Sequence, residues 1–295
     1  MPSPALRALL TGLVDYAGLF PPADLAMRPA VENYASYRKG DFRWALGRFV
    51  LPVARFPEFI TASHGIRGDD GHHWHLAALV DPTRFKLELS EALDFNERSA
   101  LDAAVDVAEV KATTPAIIAD AAAARREGIV VFIEVPLDPD PAPLLDLVQQ
   151  HGLKAKGRTG GITPESIPAI PLVARFLARC IERGLDFKCT AGLHHPIRAE
   201  HPLTYALDAP HAIMHGYVNV FLAAAYLQFG MPAAAAEEIL AETDLAAFAF
   251  SDAGVTWRGN RLSTDQLARS RGKALAFGSC SFDEPIDDLK SAGLL

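Results

Sequence analysis

The sequence predicts an α/β protein of the (β/α)8, or TIM, barrel class, folded as a single domain over residues 1–295. Three observations carry this prediction. Short apolar segments of strand character alternate with amphipathic helical segments along the chain. Eight such units fit within 295 residues, half of them hydrophobic, which suits one barrel-sized core. No linker or charge block divides the chain. The alternative, a doubly wound open sheet, lacks its usual cues. Neither Gly-x-Gly-x-x-Gly after the first strand nor Gly-x-x-x-x-Gly-Lys-Ser/Thr is present.

The elements follow in order. Gly12 to Ala17 is the first expected strand, with a helix through Val31 to Tyr37 after the loop LFPPADL. Arg48 to Val53 is the second, followed by a short helix near Pro57 to Ser63. A polar insertion, HGIRGDDGHH, leads into the third, Trp74 to Val80, and Thr83 to Ala100 reads as helix. The fourth strand is Val105 to Val110. Its helix, PAIIADAAAARRE, opens on a proline that tolerates the first turn and is rich in alanine. Ile129 to Val135 is the fifth, and PAPLLDLVQQHG has the proline and glycine that mark helix ends. LKAKGRTGG and DFKCTAG are the sixth and seventh strands, separated by an amphipathic segment from Pro171 to Gly184. Helices are expected over Gly216 to Phe229 and Ala233 to Ala241. Ala246 to Phe250 is the eighth strand, and Thr264 to Leu275 its helix.

Composition narrows the function classes. A net charge of −8 argues against a nucleic-acid partner, and no basic run suggests a membrane surface. No apolar run approaches membrane-spanning length, and the N-terminus lacks the basic and apolar regions of a signal peptide. The three cysteines (Cys180, Cys189, Cys280) have no metal-type spacing and are odd in number, which fits a reducing cytoplasm. Nothing in the sequence asks for a cofactor.

Side chains alternate along a strand, so Lys154, Lys156 and Arg158 share one face, and Asp186, Lys188 and Thr190 share another. Strands that alternate with helices are buried on both faces, and buried lysines are costly unless paired or functional. In VDVAEVKA the same parity puts Glu109 and Lys111 with Val105 and Val107. In IVVFIEVP it puts Glu134 with Val130 and Phe132. Apolar residues come deep and charges near the strand ends, where barrels of this class carry their sites. Asp15, Asp81, Asp252 and Arg55 also fall near expected strand ends. Two lysines on adjacent strands suggest imine chemistry: a neighbouring cation and desolvation both depress an amine's pKa and free it to attack a carbonyl. A carboxylate nearby can then move protons.

Lys156-Gly157-Arg158-Thr159-Gly160 resembles the Lys-Thr-Ser-Thr-Gly motif on the sixth strand of deoxyribose-phosphate aldolases. Lys188-Cys189-Thr190-Ala191-Gly192 is similar to that family's Lys-Ala-Ser/Ala-Gly-Gly motif on the seventh, and the two lysines lie 32 positions apart. The resemblance covers about 40 residues and the barrel pattern. It implies that Lys156 forms a Schiff base, that Lys188 lowers its pKa, and that Glu109 stands where the family carries aspartate. Arg158 replaces a small residue of the motif and implies a carboxylate or phosphate ligand.

Thr159, Gly160 and Gly161 lead toward a helix, and backbone amides there suit an anion beside Arg158. Ten histidines occur, five of them in a loop over 193–215 with the length of a lid or substrate collar. Adjacent histidines on extended chain point apart, so one of His194 and His195 is expected in the pocket, and His194 shares the parity of Lys188. His72, His73 and His75 lie in the polar insertion and are expected in solvent. Cys280 has no identified histidine base, and the Gly-Ser of GSCSFDEPIDDL reads as a second anion nest or a helix end. The aromatics of GYVNVFLAAAYLQF suit core packing or a homo-oligomer contact.

The expectation is therefore a class I aldolase-like carbon–carbon lyase acting on a small anionic carbonyl compound. Its catalytic residues are Lys156, Lys188, Glu109 and Glu134. Its binding residues are Arg158, Thr159, Gly160, Gly161, Thr190, His194, Lys111 and Asp15. Two alternatives stand beside it. One is a divalent-metal lyase or isomerase using Glu109, Glu134 and His194; the other is a non-catalytic barrel that binds small anions.

Overall fold

The structure is a computed structural model that describes residues 2–66, 73–99 and 102–295. The chain enters through a short helix, α1 (Pro4–Leu10), whose N-cap Ser3 hydroxyl accepts from the Leu6 amide. Strand and helix then alternate: β1 (Val14–Tyr16), α2 (Met27–Lys39), β2 (Leu46–Pro52), α3 (Phe56–Ser63), β3 (Trp74–Val80), α4 (Phe85–Arg98), β4 (Ala103–Lys111), α5 (Pro115–Ala124), β5 (Val130–Val135), α6 (Ala142–Gln150), β6 (Lys154–Arg158), α7 (Ile170–Glu182) and β7 (Phe187–Thr190). A hairpin follows, β8 (Ala199–Pro202) with β9 (His211–Met214), then α8 (Tyr217–Gln228) and α9 (Ala233–Ala241). A three-stranded antiparallel sheet, β10 (Ala249–Ser251), β11 (Gly254–Trp257) and β12 (Asn260–Ser263), precedes α10 (Thr264–Ser270), β13 (Ala274–Ser279) and α11 (Asp283–Ser291).

β1 to β7 and β13 close into one parallel barrel in the order β1-β13-β7-β6-β5-β4-β3-β2. The (β/α)8 class is as expected, but its last strand is not where the sequence placed it. The segment Ala246 to Phe250 forms a single 3-10 turn and β10 of the small sheet. The barrel is closed by Ala274–Ser279, hydrogen-bonded to β1 on one side and β7 on the other. The expected helix to Leu275 ends at Ser270, and the Gly278-Ser279 pair ends a strand rather than forming an anion nest. Asp252 accordingly sits exposed in the small sheet's turn, away from the barrel mouth.

The barrel interior is layered. At the N-terminal end Arg48 chelates Asp106 (2.7 Å), which also meets His75 (3.1 Å), while Asp186 bridges Lys154 and Lys273. His75 is thus paired rather than merely solvated, and its ring stacks on His73; His72 lies outside the described residues. Above this layer Val50, Ala77, Val107 and Phe132 form an apolar plug. The expected parity holds on β5. On β4 it breaks: the register with β3 slips between Val105 and Val107, so Val105 joins the outer core under the helices and Val107 the barrel interior. Asn96 of α4 bonds both the amide and the carbonyl of Val105, satisfying the backbone at the slip.

α8 is buried along almost its whole length, with Tyr217 and Phe221 packed on Phe277 of β13. Its aromatics are core, and they are covered within this chain. Among the described residues no helix is long and apolar enough to cross a membrane.

Candidate active site

The C-terminal ends of the barrel strands open into a cavity of about 720 Å³, within the size range of small-molecule sites. Its floor is an alternating network of amines and carboxylates above the Phe132 ring, whose centroid lies 5.4 Å from Lys188 Nζ. Lys156 and Lys188 are register neighbours on β6 and β7. Both bind Glu109 of β4: Lys156 Nζ meets Oε2 at 2.6 Å, and Lys188 Nζ meets Oε1 at 2.5 Å. Lys156 also binds Glu134 Oε2 at 2.9 Å, and Lys188 binds Asp15 Oδ2 at 2.5 Å. Arg158 completes the set through Glu134 Oε1 at 3.0 Å. Three carboxylates therefore face three cations. A buried array of this kind tolerates desolvation only because each charge is matched.

The fold places each member for a local reason. Glu134 and Lys156 are register partners across β5 and β6, as are Lys111 and Glu134 across β4 and β5. Asp15 is fully buried on β1, where its Oδ1 accepts from the Arg48 amide at 2.7 Å. Gly47 lies against Asp15, and any side chain there would collide with the carboxylate.

Burial pushes the Glu109 carboxyl up, but Lys156 and Lys188 outweigh it and hold the group at about 2. Burial likewise raises Glu134, and Lys156 with Arg158 bring it below the ordinary carboxylate range. Burial presses Lys188 down, yet Asp15 and Glu109 outweigh that and leave its ammonium harder to deprotonate than usual. The sequence argument assigned Lys188 the part of the neighbouring cation, and the carboxylates packed around it favour its charged form.

Of the expected binding residues, Arg158, Gly161, Thr190, Lys111 and His194 line the cavity with Lys156, Lys188, Glu109 and Glu134. Asp15 lies behind Lys188 and does not reach the cavity wall. Thr159 is turned to structural use. Its amide donates to Thr190 O (2.9 Å), and its hydroxyl donates to Ala191 O (2.7 Å). Gly160 sits against Gly192, so close that a Cβ on Gly160 would lie 2.7 Å from the Gly192 Cα. Arg55 pairs with Glu58, and Asp81 caps Thr83; neither joins the site.

The loop over 193–215 is a collar built on the β8–β9 hairpin, and it brings His201, Leu203, Tyr205 and Met214 over the cavity. Both His194 and His195 line the cavity. The alternation argument fails there because Ala191 and Gly192 take positive φ (62° and 75°) and turn the chain out of extended geometry. His194 Nδ1 lies 2.7 Å from Glu284, and His195 Nδ1 lies 2.7 Å from Asp288 while its ring stacks on His201. Sequence reasoning missed this wall: Glu284 and Asp288 lie on α11, in a segment to which the sequence assigned no helix. The metal trio is not brought together either, since Glu109 and Glu134 bracket Lys156 while His194 bonds Glu284. Among the described residues no group of His, Cys, Asp and Glu is placed to hold a metal ion. No family model matches the chain, and no curated protein matches it.

Proposed function

We propose that this barrel is a class I aldolase-type carbon–carbon lyase acting on a small anionic carbonyl compound through an imine at Lys156. The observation that carries the reading is the placement of Lys156 at the cavity floor between two carboxylates, with a second lysine on the same Glu109. An imine nitrogen withdraws electrons from the adjacent carbon–carbon bond, and cleavage needs proton carriers within reach. Glu109 and Glu134 are those carriers.

At rest Lys156 is ion-paired, so the amine needs a trigger. Arg158 supplies it. Its side chain is half exposed, and it binds Glu134 through Nε alone. An anionic substrate that recruits the guanidinium takes one counter-charge from Glu134, which then becomes basic enough to accept a proton from Lys156 Nζ. Lys188 remains cationic throughout and disfavours a second ammonium beside it. Lys111 at the rim adds positive charge for the same anion.

The test is reductive trapping. Borohydride added with a panel of small 2-oxo acids and phosphorylated aldehydes should add ligand mass at Lys156, and Lys156→Met should remove the adduct. Adducts confined to surface lysines would overturn the imine. Thermal stabilisation by the same anions without any adduct would point to a barrel that only binds them.

A further inference from the structure

We propose that Cys280, His194 and Glu284 form a second reactive centre on the cavity wall, a thiol nucleophile with its base and base-orienting carboxylate, which adds reversibly to the carbonyl of a small anionic aldehyde or 2-oxo acid. It goes beyond the lysine chemistry and does not depend on it.

Cys280 directly follows β13, and its Sγ lies 3.9 Å from His194 Nε2. The other ring nitrogen, Nδ1, lies 2.7 Å from Glu284 Oε2 in the first turn of α11. The order sulfur, imidazole, carboxylate is that of an activated nucleophile whose base is oriented by a third group. All three residues line the same cavity as Lys156. Two further features fit the assignment. Tyr205 reaches from the collar to 3.7 Å from the sulfur, close enough to donate to an oxygen forming beside it. Burial lowers the affinity of His194 for protons, but Cys280 and Glu284 outweigh it and raise the imidazole to about 9. The ring therefore readily holds a proton taken from the thiol. Burial raises Glu284, yet His194 and Tyr205 bring it below the usual range, so it stays ionised to orient the ring.

The step balances without any other reactant. Sγ bonds to the carbonyl carbon, the C=O π pair moves to oxygen, and His194 returns the thiol proton to that oxygen, giving a hemithioacetal. The cations Arg158 and Lys111 in the same cavity select an anionic ligand. The other two cysteines serve as internal controls. Neither has exposed surface, whereas buried Cys280 keeps 5% of its own; burial raises the thiol of Cys189, also at the cavity, to about 12 and pushes Cys180 well up.

The experiment is alkylation of the full chain by iodoacetamide, mapped by mass spectrometry. Cys280 should be modified selectively, and His194→Gln and Glu284→Gln should each slow it by about tenfold or more, since the thiolate is the reacting form. Melting curves identify a variant that is merely unfolded; a variant that melts like the parent and alkylates at the parent rate overturns the triad. Glyoxylate should protect Cys280 reversibly, both in the parent and in Lys156→Met, where no imine can form at position 156. Protection lost in Lys156→Met, or absent from both, would overturn the carbonyl assignment while leaving the lysine reading to its own test.

Discussion

Glu109 is the residue on which the cavity floor depends, because each of its oxygens holds a different lysine. Removing one member of a buried ion network leaves uncompensated charge, which costs roughly 3–5 kcal/mol. Glu109→Gln keeps the shape and removes the charge, so it should destabilise the fold by about that amount in denaturant titration. A loss within about 0.5 kcal/mol of the parent would mean that Asp15 and Glu134 suffice to neutralise the two amines. Much of this network was legible from single strands: parity put Glu109, Glu134, Lys156 and Lys188 on the inner face. What parity could not supply was the second partner of Lys188. Asp15 belongs to a three-residue strand distant in sequence, and only barrel closure brings it to Lys188. The Cys280–His194–Glu284 set was invisible for a similar reason, since 86 and 90 positions separate its bonded pairs.

At the scale of elements, the turns after β6 and β7 interlock backbone to backbone through Gly160 and Gly192, and Thr159 ties one turn to the other. These turns position Arg158 and Thr190, which are register partners. A methyl group on Gly160 has no flexible neighbour to displace, so Gly160→Ala should cost about 1–3 kcal/mol as overpacking does. Gly278, also near a strand end, has only ordinary contact with Thr190 Oγ1 at 3.5 Å, and Gly278→Ala should stay within about 1 kcal/mol of the parent. Equal losses in urea titration would sink the interlock. The seven strands read correctly share a common cause, a short apolar run bounded by helical segments. The eighth was misread because Ala274–Ser279 lacks β-branched residues and begins only a short turn after a helix, so its Ala and Leu read as more helix. The apolar Ala246–Phe250 run then filled the vacancy, although it packs as an edge of the small sheet.

For the whole molecule, the buried charges set a pH window for stability, and its two limbs have different owners. The folded value of Glu109, about 2, lies below its ordinary 4.5, so its contribution is complete above about 4.5 and is lost as pH falls toward 2. At about 1.4 kcal/mol per pH unit of difference this is on the order of 3 kcal/mol. Asp106, held at about 2 by His75 and Arg48 against the opposing effect of burial, and the lowered Glu134 act in the same direction. His194 acts in the opposite one. Its folded value of about 9 lies above the ordinary 6.5, so its contribution is complete below about 6.5 and is lost as pH rises through 9. The raised Cys189 thiol extends that limb from its ordinary 9 upward. Thermal unfolding followed from about pH 3 to about pH 9 should therefore give a maximum near pH 5 to 6.5. Glu109→Gln should flatten the acid limb and leave the alkaline one, while His194→Gln should do the reverse. If either variant kept the parent's slope on its own limb, the protons that govern stability would belong to groups other than these two, and the cavity floor and wall would not be the electrostatic centre of the fold.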